Sequence, residues 1–213
     1  MFSLKAVLKK VKTELEEKER VRQKAQLEMR KATSLSKQAI LLIHQKKMKH
    51  AKQLIQEAME TITGLNKTAD EYPEIVYTGM FDASRQEYAE ANIFLRLIEE
   101  DRFLSPEEVG VPSVDYALGL ADVIGECRRA ALDALREGNA EKGEKCLRVM
   151  DGIYVELLAL DEAYMLVPGL RRKCDVARRI IEATRGDVTQ EIRRNALEKS
   201  LKRFEKSIRP SKA

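Results

Sequence analysis

The chain has 213 residues, 44% of them apolar, 35% charged and 5% aromatic, with no Trp. Ten Gly and five Pro leave little material for turns, so an all-β sandwich or barrel is excluded and a few long helices in one domain, residues 1–213, are expected. The net charge of +4 is too small to imply a polyanion partner, yet it is unevenly placed. From Arg171 onward there are 14 basic and 6 acidic residues, leaving 25 basic against 29 acidic in the rest.

In chain order, Leu4, Leu8, Val11 and Leu15 start a helical stripe that continues through Ala25, Met29, Ala32, Ala39 and Leu42, giving one helix over roughly 3–45. A cationic turn around His44 to Lys49 leads to a second helix carrying Ala51, Leu54, Ile55, Ala58 and Ile62, which ends near Leu65. The third helix starts at Tyr72-Pro73 and runs to about Glu100 on a stripe of Tyr77, Met80, Phe81, Phe94 and Ile98. Ser105-Pro106-Glu107-Glu108 has the cap, proline and carboxylates of a short helix start. Pro112-Ser113 opens a fourth helix ending near Gly138-Asn139, a fifth covers about 140–166, and the last runs from Leu170 to Ile208 with Gly186-Asp187 as a candidate irregularity. The architecture is therefore all-α, six to seven mostly long antiparallel helices. A helix approaching 40 residues spans about 60 Å, more than a compact chain of this length needs, so some apolar face is expected to pack on other subunits.

Cys127, Cys146 and Cys174 form no disulfide framework, and neither a signal peptide nor a membrane span is evident; a cytoplasmic protein without membrane attachment is expected. His44 and His50 share a basic turn without acidic or thiol partners and read as solvated. CxxC, HExxH, GxSxG and strand-linked GxGxxG motifs are missing, and Gly138 and Gly143 are followed by Glu144-Lys145 rather than Lys-Ser/Thr, which removes P-loop nucleotide binding.

The chemistry sits in two carboxylate pairs. Glu87 and Glu90 lie within about 80° of Phe94 and Ile98 on a helical wheel, inside the apolar stripe of the third helix. A carboxylate buried there requires a cation, a proton or a wet cavity. Asp122 and Glu126, one turn apart on the fourth helix, lie opposite its apolar stripe and by themselves read as a solvated acidic face. If the two helices face each other, the four acids form an all-oxygen set suited to Mg²⁺ or Mn²⁺, and such a set fits metal-assisted phosphodiester hydrolysis.

Gln86-Glu87-Tyr88-Ala89-Glu90-Ala91, Val114-Asp115-Tyr116-Ala117-Leu118-Gly119, Ala121-Asp122-Val123-Ile124-Gly125-Glu126 and Leu170-Arg171-Arg172-Lys173 resemble, in this order, strings of the translin family, specifically its translin-associated factor X (Trax) branch. The resemblance implies an all-α subunit of a closed, hollow homo-octamer that holds RNA, single-stranded or short duplex, or single-stranded DNA. In the Trax branch it implies a metal-dependent endoribonuclease whose Mg²⁺ ligands are Glu87, Glu90, Asp122 and Glu126. The basic and aromatic string that translin places before the acidic region has no counterpart at Tyr77-Thr78-Gly79-Met80-Phe81, so nucleic-acid contacts are not carried over from it. The candidates for those contacts are Arg85 and Arg129, on the acid-bearing helices, and Arg171, Arg172 and Arg178 on the last helix, where Arg171, Arg178 and Arg185 recur every seven residues. Arginines on such faces also pair with carboxylates, which leaves a non-catalytic nucleic-acid-binding shell, or a plain helical scaffold, as alternatives.

Overall fold

The computed structural model describes residues 3–160, 162 and 164–208. It is helical throughout, as expected, with α1 (Leu4–His44), α2 (Met48–Ala69), α3 (Pro73–Val76), α4 (Gly79–Glu100), α5 (Pro106–Val109), α6 (Ser113–Arg136), α7 (Ala140–Leu158) and α8 (Leu170–Ile208). The chain divides into two compact units, residues 1–119 and 120–213, with the boundary inside α6.

In the first unit α1 and α2 form a hairpin joined at Gln45–Lys47. Ala25, Ala32 and Ala39 recur every seven residues on α1, as do Ala51 and Ala58 on α2, and all five are buried. Small side chains at two-turn spacing let the helices approach closely, while Met29, Ile40, Ile55 and Ile62 fill the flanking space. Phe81, Ile93 and Phe94 of α4 complete this core. The large apolar residues of α1 before Val21, Leu4, Val7, Leu8, Val11 and Leu15, are all exposed; burial on this helix begins at Ala25.

The expected third helix is broken. Tyr77 and Thr78 leave helical geometry, Thr78 being extended at φ −131°, ψ 160°, and Gly79 then starts α4. A β-branched residue followed by glycine weakens a helix at that point, and the break buries Val76 while leaving Tyr77 and Met80 exposed rather than in the core stripe. After α4, α5 is fixed by a capping box: Ser105 Oγ accepts from the Glu108 backbone N–H at 3.3 Å, and Glu108 Oε2 accepts from the Ser105 N–H at 2.8 Å.

The second unit consists of most of α6 with α7 and α8. α6 ends in a Schellman turn: Gly138 adopts φ 78°, its N–H reaches the Leu135 carbonyl at 2.9 Å, and the Asn139 N–H reaches that of Ala134 at 2.8 Å. Asn139 then caps α7 by accepting from the Lys142 N–H at 2.9 Å. The core holds Ile124, Cys127, Ala131, Leu147, Met150, Leu170, Cys174 and Ile181. α7 stops at Leu158, short of the expected 166; residues 161 and 163, within that expected reach, lie outside the described residues. α8 continues unbroken through Gly186-Asp187; its last buried residue is Val188, beyond which Ile192, Leu197, Leu201, Phe204 and Ile208 are exposed.

Candidate metal and nucleic-acid site

On α4 the sequence Ser84–Ala91 faces inward almost continuously, which makes its polar members informative. Glu90 is 8% exposed and Glu87 is half-buried, so the first carboxylate pair lies in the packed stripe, as its spacing suggested. Glu87 Oε1 takes an ion pair from Lys37 Nζ of α1 at 3.1 Å. Tyr88, between them, is buried, its hydroxyl accepts from Asn92 Nδ2 at 3.2 Å, and burial pushes its pKa up.

The backbone under this segment is held by a close helix crossing. A Cβ at Gly119 of α6 would lie 2.7 Å from the Gln86 carbonyl oxygen, 2.9 Å from Ala89 Cβ and 3.1 Å from the Glu90 nitrogen. Only glycine fits there, so α6 rests directly on the turn of α4 that presents Glu87 and Glu90.

Arg85, a candidate either for phosphate contact or for pairing with acids, is engaged with two carboxylates. Its Nε donates to Asp115 Oδ2 at 2.5 Å, its Nη2 donates to Asp82 Oδ1 at 2.6 Å, and its guanidinium carbon lies 4.3 Å from the centre of the Phe81 ring. With the side chain only 10% exposed, Arg85 ties α4 to α6. Burial pushes the Asp115 carboxyl above its ordinary pKa, against the pull of Arg85.

In the second unit Asp122 and Glu126 are both half-buried on α6 rather than fully solvated. Asp122 accepts a hydrogen bond from Lys173 Nζ of α8. Arg128, on the same helix, donates to the Thr184 hydroxyl at 2.7 Å, Thr184 in turn donates to the Ile180 carbonyl at 2.7 Å, and Asp187 lies 3.5 Å from the guanidinium. Arg129, Arg171, Arg172 and Arg178 are exposed. Arg185, placed in the same arginine line by its spacing, pairs with Asp151 of α7 at 2.8 Å. His44 is half-buried against Phe94, ring centres 5.1 Å apart, rather than solvated.

Among the described residues no three His, Cys, Asp or Glu side chains stand together as a metal cage. Each carboxylate pair by itself offers two oxygen donors at helical spacing, and Mg²⁺ is commonly bound through one or two carboxylates, with waters and substrate phosphates completing its shell. The donor chemistry therefore fits a hard cation. Sequence reasoning missed Lys37 and Lys173: neither shares a helix with the acid it pairs with, so no periodicity could reveal them.

A wholly helical chain that carries two carboxylate pairs on successive long helices, with a glycine crossing beneath one of them, defines a narrow structural class. The chain belongs to the translin family, whose model matches residues 8–183. An uncharacterized protein of Methanocaldococcus jannaschii is 36% identical over 155 residues, 72% of this chain and 68% of that protein. Among solved structures, AfC3PO in complex with duplex RNA is similar at 34% identity and a TM-score of 0.77, covering 86% of this chain and 95% of that one. Apo-NeC3PO is similar at 26% identity and a TM-score of 0.77, over 90% and 98% of the two chains. No helix among the described residues is long and apolar enough to cross a membrane.

Proposed function

We propose that this protein is a homo-oligomeric, Mg²⁺-dependent endoribonuclease of the Trax type, acting on RNA held inside a closed assembly of eight copies. The observation that carries the reading is Glu90, an acidic side chain 8% exposed on the buried face of α4 and one turn from Glu87. Ionisable groups held in enclosed surroundings beside a second carboxylate are the kind of arrangement that catalytic sites use. Glu87 and Glu90 of α4 with Asp122 and Glu126 of α6 supply the oxygen ligands. When bound, Mg²⁺, or Mn²⁺ in its place, makes water a better nucleophile and offsets charge developing on the phosphate. Arg129, Arg171, Arg172 and Arg178 orient the RNA backbone; Arg85, which already pairs with Asp82 and Asp115 through Nη2 and Nε, contributes at the acid-bearing helices. The similarity to an AfC3PO chain solved with duplex RNA supports an RNA partner, and the uncovered apolar residues at the start of α1 and the end of α8 support assembly. Three free, buried thiols suit a reducing cytoplasm.

A second reading, a nucleic-acid-binding shell without catalysis, is favoured by the lysines at Glu87 and Asp122, which satisfy these acids without metal. Incubating the protein and Glu126→Ala with labelled single-stranded and duplex RNA, in Mg²⁺ and in chelator, separates the two. Catalysis predicts divalent-dependent products from the parent and none from the variant; salt-sensitive binding without products would establish the shell.

A further inference from the structure

The second unit contains a groove of about 430 Å³ along α6 and α8, within the size range of small-molecule sites. Its floor is apolar, from Ile124, Val176 and Ile180, and its charged groups are Asp122, Arg172 and Lys173. From this groove we infer a seat for one nucleotide unit of the bound RNA, with the phosphodiester on Arg172 and the ribose and base on the apolar floor; the assignment rests on the reading above that RNA is the substrate.

Three features select this occupant. Asp122 and Lys173 neutralise each other, so the groove keeps one uncompensated cation, Arg172, which has no ion-pair partner among the described residues. One positive charge matches one phosphodiester, whereas an acidic peptide segment or a divalent anion calls for more. Arg171, Arg172 and Lys173 also follow one another in the first turn of α8, with no acidic residue there, where the helix's own positive end disfavours cations. A bound phosphate converts that repulsion into attraction.

The third feature is Gly125, a groove residue inside α6 flanked in sequence by Glu126 and lying one turn from Asp122. Glycine in a helix interior is destabilising relative to alanine, and at Gly119 close packing explains it. At Gly125 a Cβ would meet nothing within 4 Å. Within its unit no neighbour requires the glycine, and its effect is to keep the groove deep beside the carboxylates.

The test is fluorescence anisotropy with a 5′-labelled, ten-nucleotide single-stranded RNA in chelator, so that nothing is cut. Gly125→Leu and Val176→Trp fill the groove and are expected to weaken binding at least tenfold. Arg172→Gln is expected to weaken it and to lower the salt dependence by about one counterion, while Gly125→Ala raises the melting temperature and weakens binding. The inference is overturned if the groove-filling variants, helical by circular dichroism, bind like the parent. It is equally overturned if light scattering shows them dissociating, because the groove would then be covered by another copy. Loss of Mg²⁺-dependent cleavage in the parent itself would strike the nuclease reading alone, since the binding measurements do not require it.

Discussion

Arg85 and Asp115, thirty residues apart in sequence, meet at 2.5 Å with side chains 10% and 3% exposed, an ion pair almost fully enclosed between α4 and α6. Removing Arg85 strands the Asp115 carboxylate in a dry environment, whereas removing Asp115 leaves Arg85 with Asp82. Arg85→Leu is expected to destabilise the protein by about 3–5 kcal/mol and Asp115→Leu by less, because Arg85 keeps Asp82, while the double variant loses less than the sum of the two. Urea unfolding of the four proteins measures this coupling. Additive losses would show that the pair does not bind α4 to α6.

Gly119 sets the height at which α6 rides on α4. Gly119→Ala places a methyl group against the Gln86 carbonyl oxygen, a backbone atom that cannot swing aside. A loss of about 1–3 kcal/mol is expected, visible as a lower urea midpoint. Gly125→Ala, on the same helix with open space at its Cβ, serves as the internal comparison and is expected to stabilise by about 1 kcal/mol.

The Gly138 turn offers a purely conformational test. Its φ of 78° strains any residue with a Cβ, although nothing lies within 4 Å of one placed there. Gly138→Ala therefore costs about 1 kcal/mol through the backbone alone, and thermal unfolding should show the loss without any change in helix content.

Cys127, Cys146 and Cys174 are buried, and burial pushes all three thiols above their ordinary pKa. The thiolate is the reactive form, so native protein near neutral pH should take up iodoacetamide at none of them over a period that labels all three in urea. Intact-mass spectrometry counts the adducts. Rapid labelling of Cys174 in native protein would mean that the start of α8 opens readily.

The long-range order of the helices was legible because it rests on periodicity and punctuation. Ser105-Pro106-Glu107-Glu108 encodes its own cap, and the alanines of α1 and α2 announce a close hairpin. The break at Tyr77-Thr78 has only a weak signal, Thr78 before Gly79, because no proline marks it and Tyr77, Met80 and Phe81 carry the stripe across it. At the candidate site, the inward position of Glu90 could be read from a helical wheel. The cations that meet the acids could not: Lys37 and Lys173 reach their partners from other helices, and Arg185, in line with Arg171 and Arg178 by spacing, meets Asp151 of α7.

Burial on α8 ends at Val188, yet the helix runs about 20 residues and some 30 Å further. A helical segment of that length without a packed face is marginal in water, so its backbone hydrogen bonds open at little cost. Amide exchange should therefore form a gradient along one continuous helix, slow from Cys174 to Val188 and fast from Ile192 to Ile208. Whatever covers Leu197, Leu201 and Phe204 will extend the slow zone outward, and the residue at which protection ends will mark the edge of the covering surface.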